Sequence, residues 1–270
     1  MSQRVLLFVG GNGHCSARLH PAWDTLHAME GGPAFTLKEA SLPGFDGRPP
    51  APSLDALLDA LAAEVSGRTA RPDGGFPPDA VCATGIGALL ALAARLRGPE
   101  PPVPLLMQAP VLWGLATRWM PRAMRLPPVR ALAGWLFARA RFQRRFWRRQ
   151  VALSWDDPLR VAFFEGYARC AAFALLFDWI TPAWLRRLEA DLRARPGALD
   201  GVRVLWGGRD PVVGVEELRL TEPVLGVRWP LRIAPAWGHY PMLDRPREWV
   251  DTVAAEMDAL ALEGPAGARR

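Results

Sequence analysis

The stretch Val81-Cys82-Ala83-Thr84-Gly85-Ile86-Gly87-Ala88 runs from an apolar, strand-like segment into a helical one with no loop between them. Asp79 to Ala83 reads as a buried strand, and Ile86 to Leu96 as the helix that follows at once. Gly85 permits so abrupt a turn, because glycine reaches backbone conformations closed to other residues. Taken alone, this is compatible with an ordinary tight strand-to-helix turn. Upstream, Arg4 to Val9 is an apolar run ending in Gly10-Gly11-Asn12-Gly13, which suits a buried parallel strand entering a tight loop. Ala34 to Leu42 is a second strand candidate. Ser53 is placed to cap a helix whose apolar residues Leu54, Leu57, Leu58, Leu61 and Val65 follow helical spacing. Downstream, Pro104 to Ala109, Val202 to Trp206 and Leu231 to Ala234 are further strands, and a last helix covers Arg247 to Leu262. This alternation predicts an α/β fold with a mostly parallel, doubly wound sheet. Ligands of such sheets bind beyond the carboxyl ends of the strands, so the loops after Val9, Ala83, Trp206 and Ala234 matter most.

Between Val111 and Arg195 no strand-like segment stands out. Trp, Phe, Leu and Arg recur at helical spacings, and Pro121, Pro127, Pro158 and Pro182 read as breaks. We expect three or four helices here, inserted between two strands and lying over the strand ends as a cap. The core then comprises 1–110 and 198–262, the helical cap 111–197, and a frayed Ala- and Arg-rich tail 263–270.

The 270 residues are half apolar and 22% charged, which fits a soluble globular protein. The net charge of +6 favours acidic partners, membrane surfaces or anionic substrates without choosing among them. Cys15, Cys82 and Cys170 are too scattered for a disulfide framework, and no CxxC pair suggests zinc, so no metal is expected. The start lacks the features of a signal peptide, and no apolar run reaches the ~18 residues of a membrane span. A reducing cytoplasm is the expected setting.

Several motifs together resemble the α/β-hydrolase superfamily. The stretch around Gly85 resembles its nucleophile elbow, G-x-S-x-G. The elbow needs small residues two positions to either side of the nucleophile, where strand and helix backbones come close. Ala83 and Gly87 meet that need and put Gly85 at the nucleophile position. The alternative register puts Thr84 there, flanked by Cys82 and the bulky Ile86. Leu42-Pro43-Gly44-Phe45-Asp46-Gly47 looks like the family's LPGFG stretch. Val204-Leu205-Trp206-Gly207-Gly208-Arg209-Asp210-Pro211 looks like its acid loop, and Gly238-His239-Tyr240-Pro241 opens a segment similar to its histidine loop. The order, elbow then Asp then His, is the family's.

The resemblance implies that Asp210 orients His239 and stabilises its cationic form. Gly10-Gly11-Asn12-Gly13 resembles the HG-x oxyanion loop, with Gly10 where the family often has His, which implies an oxyanion hole from the amides of Asn12 and Ile86. His14, Cys15 and Ser16 are candidate pocket residues, and Thr84, Cys15 and Ser16 are candidate substitutes for the missing nucleophile. A phosphate-binding reading of the glycines is weaker, since GGNGH is neither a Walker loop nor GxGxxG.

Arg139, Arg141, Arg144, Arg145, Arg148 and Arg149 alternate with Phe142, Phe146 and Trp147. A solvated basic helix face is the leading reading, and peripheral membrane contact is the alternative. No recognised nucleic-acid module appears, so nucleic acid is not an expected partner. The tryptophans of the insertion suggest the wall of an apolar pocket or, equally, the core of the cap. The expected function is His/Asp acid–base chemistry on an apolar or aromatic small molecule, without a serine nucleophile and without a cofactor. The alternatives are a non-catalytic relative that binds a ligand or partner, and an ester hydrolase with a displaced nucleophile.

Overall fold

Apolar residues on both faces of a short strand demand cover on both sides, and the sheet is built that way. The computed structural model describes residues 4–67, 77–98 and 100–263. Of the expected frayed tail, 263–270, Glu263 ends the last helix and 264–270 lie outside the described residues. Val5–Val9 (β1), Thr36–Glu39 (β2), Ala80–Thr84 (β3), Leu105–Gln108 (β4), Val202–Gly207 (β5) and Leu231–Ala234 (β6) form one sheet in the order β2-β1-β3-β4-β5-β6. Every pair is parallel. Leu7, Val9, Val81, Ala83, Met107 and Val204 face one apolar core, while Leu6, Phe8, Cys82, Leu106 and Leu205 face the other.

The helices are His20–His27 (α1), Leu54–Val65 (α2), Ile86–Ala94 (α3), Trp119–Met124 (α4), Pro127–Phe137 (α5), Ala140–Gln150 (α6), Leu159–Arg169 (α7), Ala172–Trp179 (α8), Pro182–Ala194 (α9), Glu216–Leu225 (α10), Pro241–Asp244 (α11) and Pro246–Glu263 (α12). Helix α2 begins as its sequence predicts, with the Ser53 side chain accepting from the Ala56 N–H. Strand β2 is shorter than the expected 34–42, because the chain turns after Ala40.

Helices α4 to α9 lie between β4 and β5, six rather than the expected three or four. The prolines read as breaks are mostly starts: Pro127 and Pro182 begin α5 and α9, and Pro158 caps α7. Proline suits a first turn because its missing N–H would be unpaired there anyway. Helix α9 returns to the body and buries Leu185, Leu188 and Leu192 in the core behind the sheet. Helix α5 is the opposite case: it is largely apolar and buries no residue. Among the described residues no helix is long and apolar enough to cross a membrane.

The chain leaves β1 for β2 on one side, while β3 lies on its other side. The loops after β1 and β3 therefore part at a switch point, where parallel sheets open a crevice.

Candidate active site

The turn at that crevice is made by Gly85, with φ 52° and ψ −126°, between the end of β3 and the start of α3. Its N–H donates to the Gln108 carbonyl (3.2 Å) and its own carbonyl accepts from Val111 (2.9 Å). A positive φ is costly for residues with a Cβ, and Gly85 relieves that cost. A Cβ placed on Gly85 would meet nothing nearer than Gly11 Cα at 3.9 Å, so open space lies above the turn. Gly87 is constrained differently. A Cβ there would lie 2.5 Å from the Gly10 carbonyl oxygen and 2.9 Å from that of Val9. This is the close approach that the elbow spacing anticipates. Thr84, the alternative, ends β3, and its Oγ1 accepts from the Gly11 N–H at 3.0 Å.

Asp210 follows β5 and His239 follows β6. The two loops are drawn together at Gly207, where a Cβ would lie 2.5 Å from the Gly238 carbonyl oxygen. Arg209 N–H also donates to the Trp237 carbonyl (3.0 Å). Asp210 Oδ1 accepts from the Val212 and Val213 N–H groups (2.7 and 3.0 Å), and Oδ2 lies 2.8 Å from His239 Nδ1. The Asp210 side chain is 1% exposed and that of His239 12%. A carboxylate only accepts, so Nδ1 carries the proton and Nε2 is left as the acceptor. The imidazole packs edge-on against Tyr240, at 4.7 Å between ring centroids. Tyr240 in turn meets the Tyr167 hydroxyl at 3.2 Å, and burial holds its phenol protonated well above the usual range.

His14 folds over Gly10. A Cβ on Gly10 would lie 2.1 Å from the His14 ring, which thus fills the space of a side chain at position 10. His14 Nε2 sits 2.9 Å from Glu39 Oε1, and burial pulls its pKa down. Asn12 Nδ2 donates to the Phe173 carbonyl at 3.4 Å, while its Oδ1 is buried without a partner. Among the described residues, the backbone N–H groups of Asn12 and Ile86 meet no acceptor.

Gly85, Thr84, Asn12, Ile86, His14 and His239 line one cavity of about 540 Å³. Cys15 and Ser16 do not. They begin a short helical turn that points them elsewhere: Cys15 Sγ contacts the Ala162 carbonyl (3.3 Å) and Ser16 Oγ donates to Asp46 (3.2 Å). Burial raises the Cys15 thiol pKa, which disfavours its nucleophilic thiolate. Cys82 is buried in β3 with its thiol pushed up to about 12. The inserted helices contribute Leu136, Phe137, Phe142, Phe146, Phe173 and Phe177 to the same cavity, with Trp119 at its edge. Phenylalanine dominates the wall, and of the insertion's tryptophans Trp119 lines it. Trp147, for one, is turned into the core, where its Nε1 donates to the Leu153 carbonyl (2.9 Å).

Sequence reasoning missed Arg18. It lines the cavity yet is 3% exposed, with its guanidinium 4.0 Å from the Phe163 ring centroid and 5.2 Å from that of Tyr240. The available signal was its spacing: Arg18 lies four and eight positions before the buried Ala22 and Leu26, on a face otherwise apolar. Among the described residues no three His, Cys, Asp or Glu side chains gather as a bound metal ion requires.

No curated protein shows significant similarity in sequence to this chain. Solved structures resemble it in fold. A bacterial membrane phospholipase A described as a virulence factor is 18% identical, with TM-score 0.65, over 96% of this chain and 80% of that one. A protein described as a lipase from Acinetobacter baumannii AYE is 14% identical, with TM-score 0.70, over 97% and 85%. A haloalkane dehalogenase from Bradyrhizobium elkani USDA94 is 16% identical, with TM-score 0.64, over 97% and 92%. A family model described as the alpha/beta hydrolase family matches residues 6–252. That span reaches from β1 past the histidine loop and leaves only the two ends outside, so the chain belongs to the alpha/beta hydrolase family.

Proposed function

We propose that this protein acts on an apolar or aromatic small molecule through acid–base chemistry of His239 and Asp210, without a covalent nucleophile. The insertion, 111–197, serves as a helical cap on a core of 1–110 and 198–262. The observation that carries the reading is the 2.8 Å contact of His239 Nδ1 with a buried, fully bonded Asp210, on the wall of the cavity that opens over Gly85. In an ester substrate, His239 Nε2 takes a proton from a water above Gly85 as the water oxygen bonds to the carbonyl carbon. The Asn12 and Ile86 N–H groups hold the resulting oxyanion. The intermediate then expels the alkoxide, which leaves with the proton from the imidazolium. No group on the protein is acylated.

Slow ester hydrolysis by the wild type is expected, lost in His239→Ala, with no initial burst of product and no acyl adduct by mass spectrometry. A burst with an adduct on Thr84, Ser16 or Cys15 would replace this reading by hydrolysis at a displaced nucleophile. Gly85 itself favours a second reading, a ligand-binding relative that has lost chemistry. Ligand binding without turnover, unchanged in His239→Ala, would establish it.

We infer further that the cap meets an anionic membrane surface. Every charged residue from Trp119 to Gln150 is an arginine. Trp119 is 78% exposed, and Leu126, Leu132 and Trp135 are exposed beside it on α4, α5 and their junction. Trp119, Met120 and Leu132 also line the cavity, so an apolar ligand would enter from that face. A basic surface with exposed aromatic and aliphatic groups binds anionic bilayers by charge and insertion together. One structural neighbour is a membrane phospholipase A, which agrees with this reading. Cosedimentation with phosphatidylglycerol vesicles is expected, weakened by salt and by Trp119→Ala with Trp135→Ala. Equal binding to neutral phosphatidylcholine vesicles, or none to either, would refute it.

A further inference from the structure

A charged side chain buried in a protein is ordinarily paired with an opposite charge, because leaving water costs several kcal/mol per ion. Arg18 breaks that pattern. It is 3% exposed, and among the described residues no carboxylate oxygen lies within ion-pair distance of its guanidinium. Its nearby oxygens are neutral: the Phe163 carbonyl, 3.4 Å from Nη2, and the Tyr167 hydroxyl. Nε is buried with no partner at all. The rings of Phe163, Tyr167 and Tyr240 surround the cation at 4.0, 4.9 and 5.2 Å. Cation–π contacts with desolvated rings offset part of the cost but supply no negative charge. Arginine cannot shed its proton to escape the burial. The neighbouring carboxylates are engaged elsewhere: Asp210 with His239, Glu39 with His14, Asp46 with Ser16.

Arg18 also lines the cavity that holds Gly85 and His239. Beyond it the wall is mostly apolar, with Leu136, Phe137, Phe142, Phe146 and Phe177, and the other arginine on it, Arg118, is already paired with Glu217. Among the described residues no counter-charge is at hand, so a ligand in the cavity is the source that remains. We propose that the cavity is built for an amphipathic anion: an apolar body against the cap, and an oxyacid headgroup, carboxylate or phosphate, held by the guanidinium of Arg18. This rests on the reading of the cavity as the ligand site. It narrows the ligand class from apolar molecules in general to those with one anionic end.

Isothermal titration tests this with four probes of equal chain length: decanoate, decanamide, decanol and decyl phosphate. In the wild type, decanoate or decyl phosphate should bind about 10–100-fold more tightly than the amide and alcohol, as a charge-assisted bond to a desolvated guanidinium predicts. The tighter of the two anions identifies the headgroup. Arg18→Met should erase that preference and leave binding of the alcohol unchanged or improved. Arg18→Lys should keep part of it. Were Arg18→Met to unfold, Arg18→Lys and the persistence of the wild-type preference at high salt decide the matter, since a buried charge pair is screened little and binding to surface arginines would be lost. Equal affinity for all four probes would overturn the role of Arg18 while leaving the cavity as an apolar ligand site. No binding of any probe would overturn both. A preference for anions that persists in folded Arg18→Met would place the receptor elsewhere and sink the proposal.

Discussion

Gly85→Ser is expected to turn the protein into a much faster esterase, with kcat/KM on short acyl esters on the order of 10²–10⁴-fold above the wild type, because a held serine hydroxyl replaces a free water as the nucleophile that His239 activates. The space is there, since a Cβ at position 85 meets only Gly11 Cα at 3.9 Å. The base is there, held by Asp210 at 2.8 Å. The new hydroxyl would put a nucleophile within the cavity that His239 lines, and the acyl-enzyme route would open. A serine at φ 52° carries backbone strain of about 1–3 kcal/mol, so some loss of thermal stability should accompany the gain. Gly85→Ala bears the same strain without the hydroxyl and should stay at wild-type activity. Adding His239→Ala to Gly85→Ser should abolish turnover, below even the slow wild-type rate. A folded Gly85→Ser protein, inert on short and long acyl esters, would mean that the arrangement has drifted beyond hydrolysis.

Glu217→Ala is expected to lower stability by about 3 kcal/mol, because two buried N–H groups lose their acceptor at once. Glu217, 2% exposed on α10, accepts from Leu112 and Gly114 N–H (2.9 and 2.7 Å) and pairs with Arg118 (2.9 Å). These bonds pin the segment that leads from β4 into the inserted helices, and Val111, Leu115 and Arg118 of that segment line the cavity. For a domain of this size the loss corresponds to a fall in Tm of roughly 6–12 °C by calorimetry. Glu217→Gln keeps one oxygen acceptor and should lose less. A fall of only a degree or two in Glu217→Ala would show that both N–H groups find other partners.

The parts legible in the sequence were those fixed by local chemistry. The β1 run, the Gly85 turn and the Ser53 cap each follow from a few neighbouring residues. Asp210 and His239 stand out because their loops resemble the family's acid and histidine loops in motif and order; the close backbone approach at Gly207 is what the structure adds. What was not legible depends on contacts between distant segments. The direction of Cys15 and Ser16 is set by a turn packed against α7, which no local pattern announces. The number of inserted helices was undercounted because proline at a helix start and proline at a helix end look alike without the backbone. Arg18 was overlooked because charge is usually a sign of exposure, and its burial is imposed by Phe163 and Tyr240 from far along the chain.

The pairing of β4 with β5 across the whole insertion also governs how the molecule is born. Translation at ordinary speed needs about 5–20 s to make the roughly ninety residues between Gln108 and Val202. Through that interval β1 to β4 can already associate, but the outer edge of β4 has no strand beside it. Its Leu105-Leu106-Met107-Gln108 backbone, fully buried in the finished protein, then offers open N–H and C=O groups on an apolar ribbon. The nascent chain is thus a sticky half-sheet while it waits for β5, and a natural client for chaperones at that length. Asp210 follows β5 and His239 follows β6, so the pair proposed to carry the chemistry is among the last parts of the chain to be made.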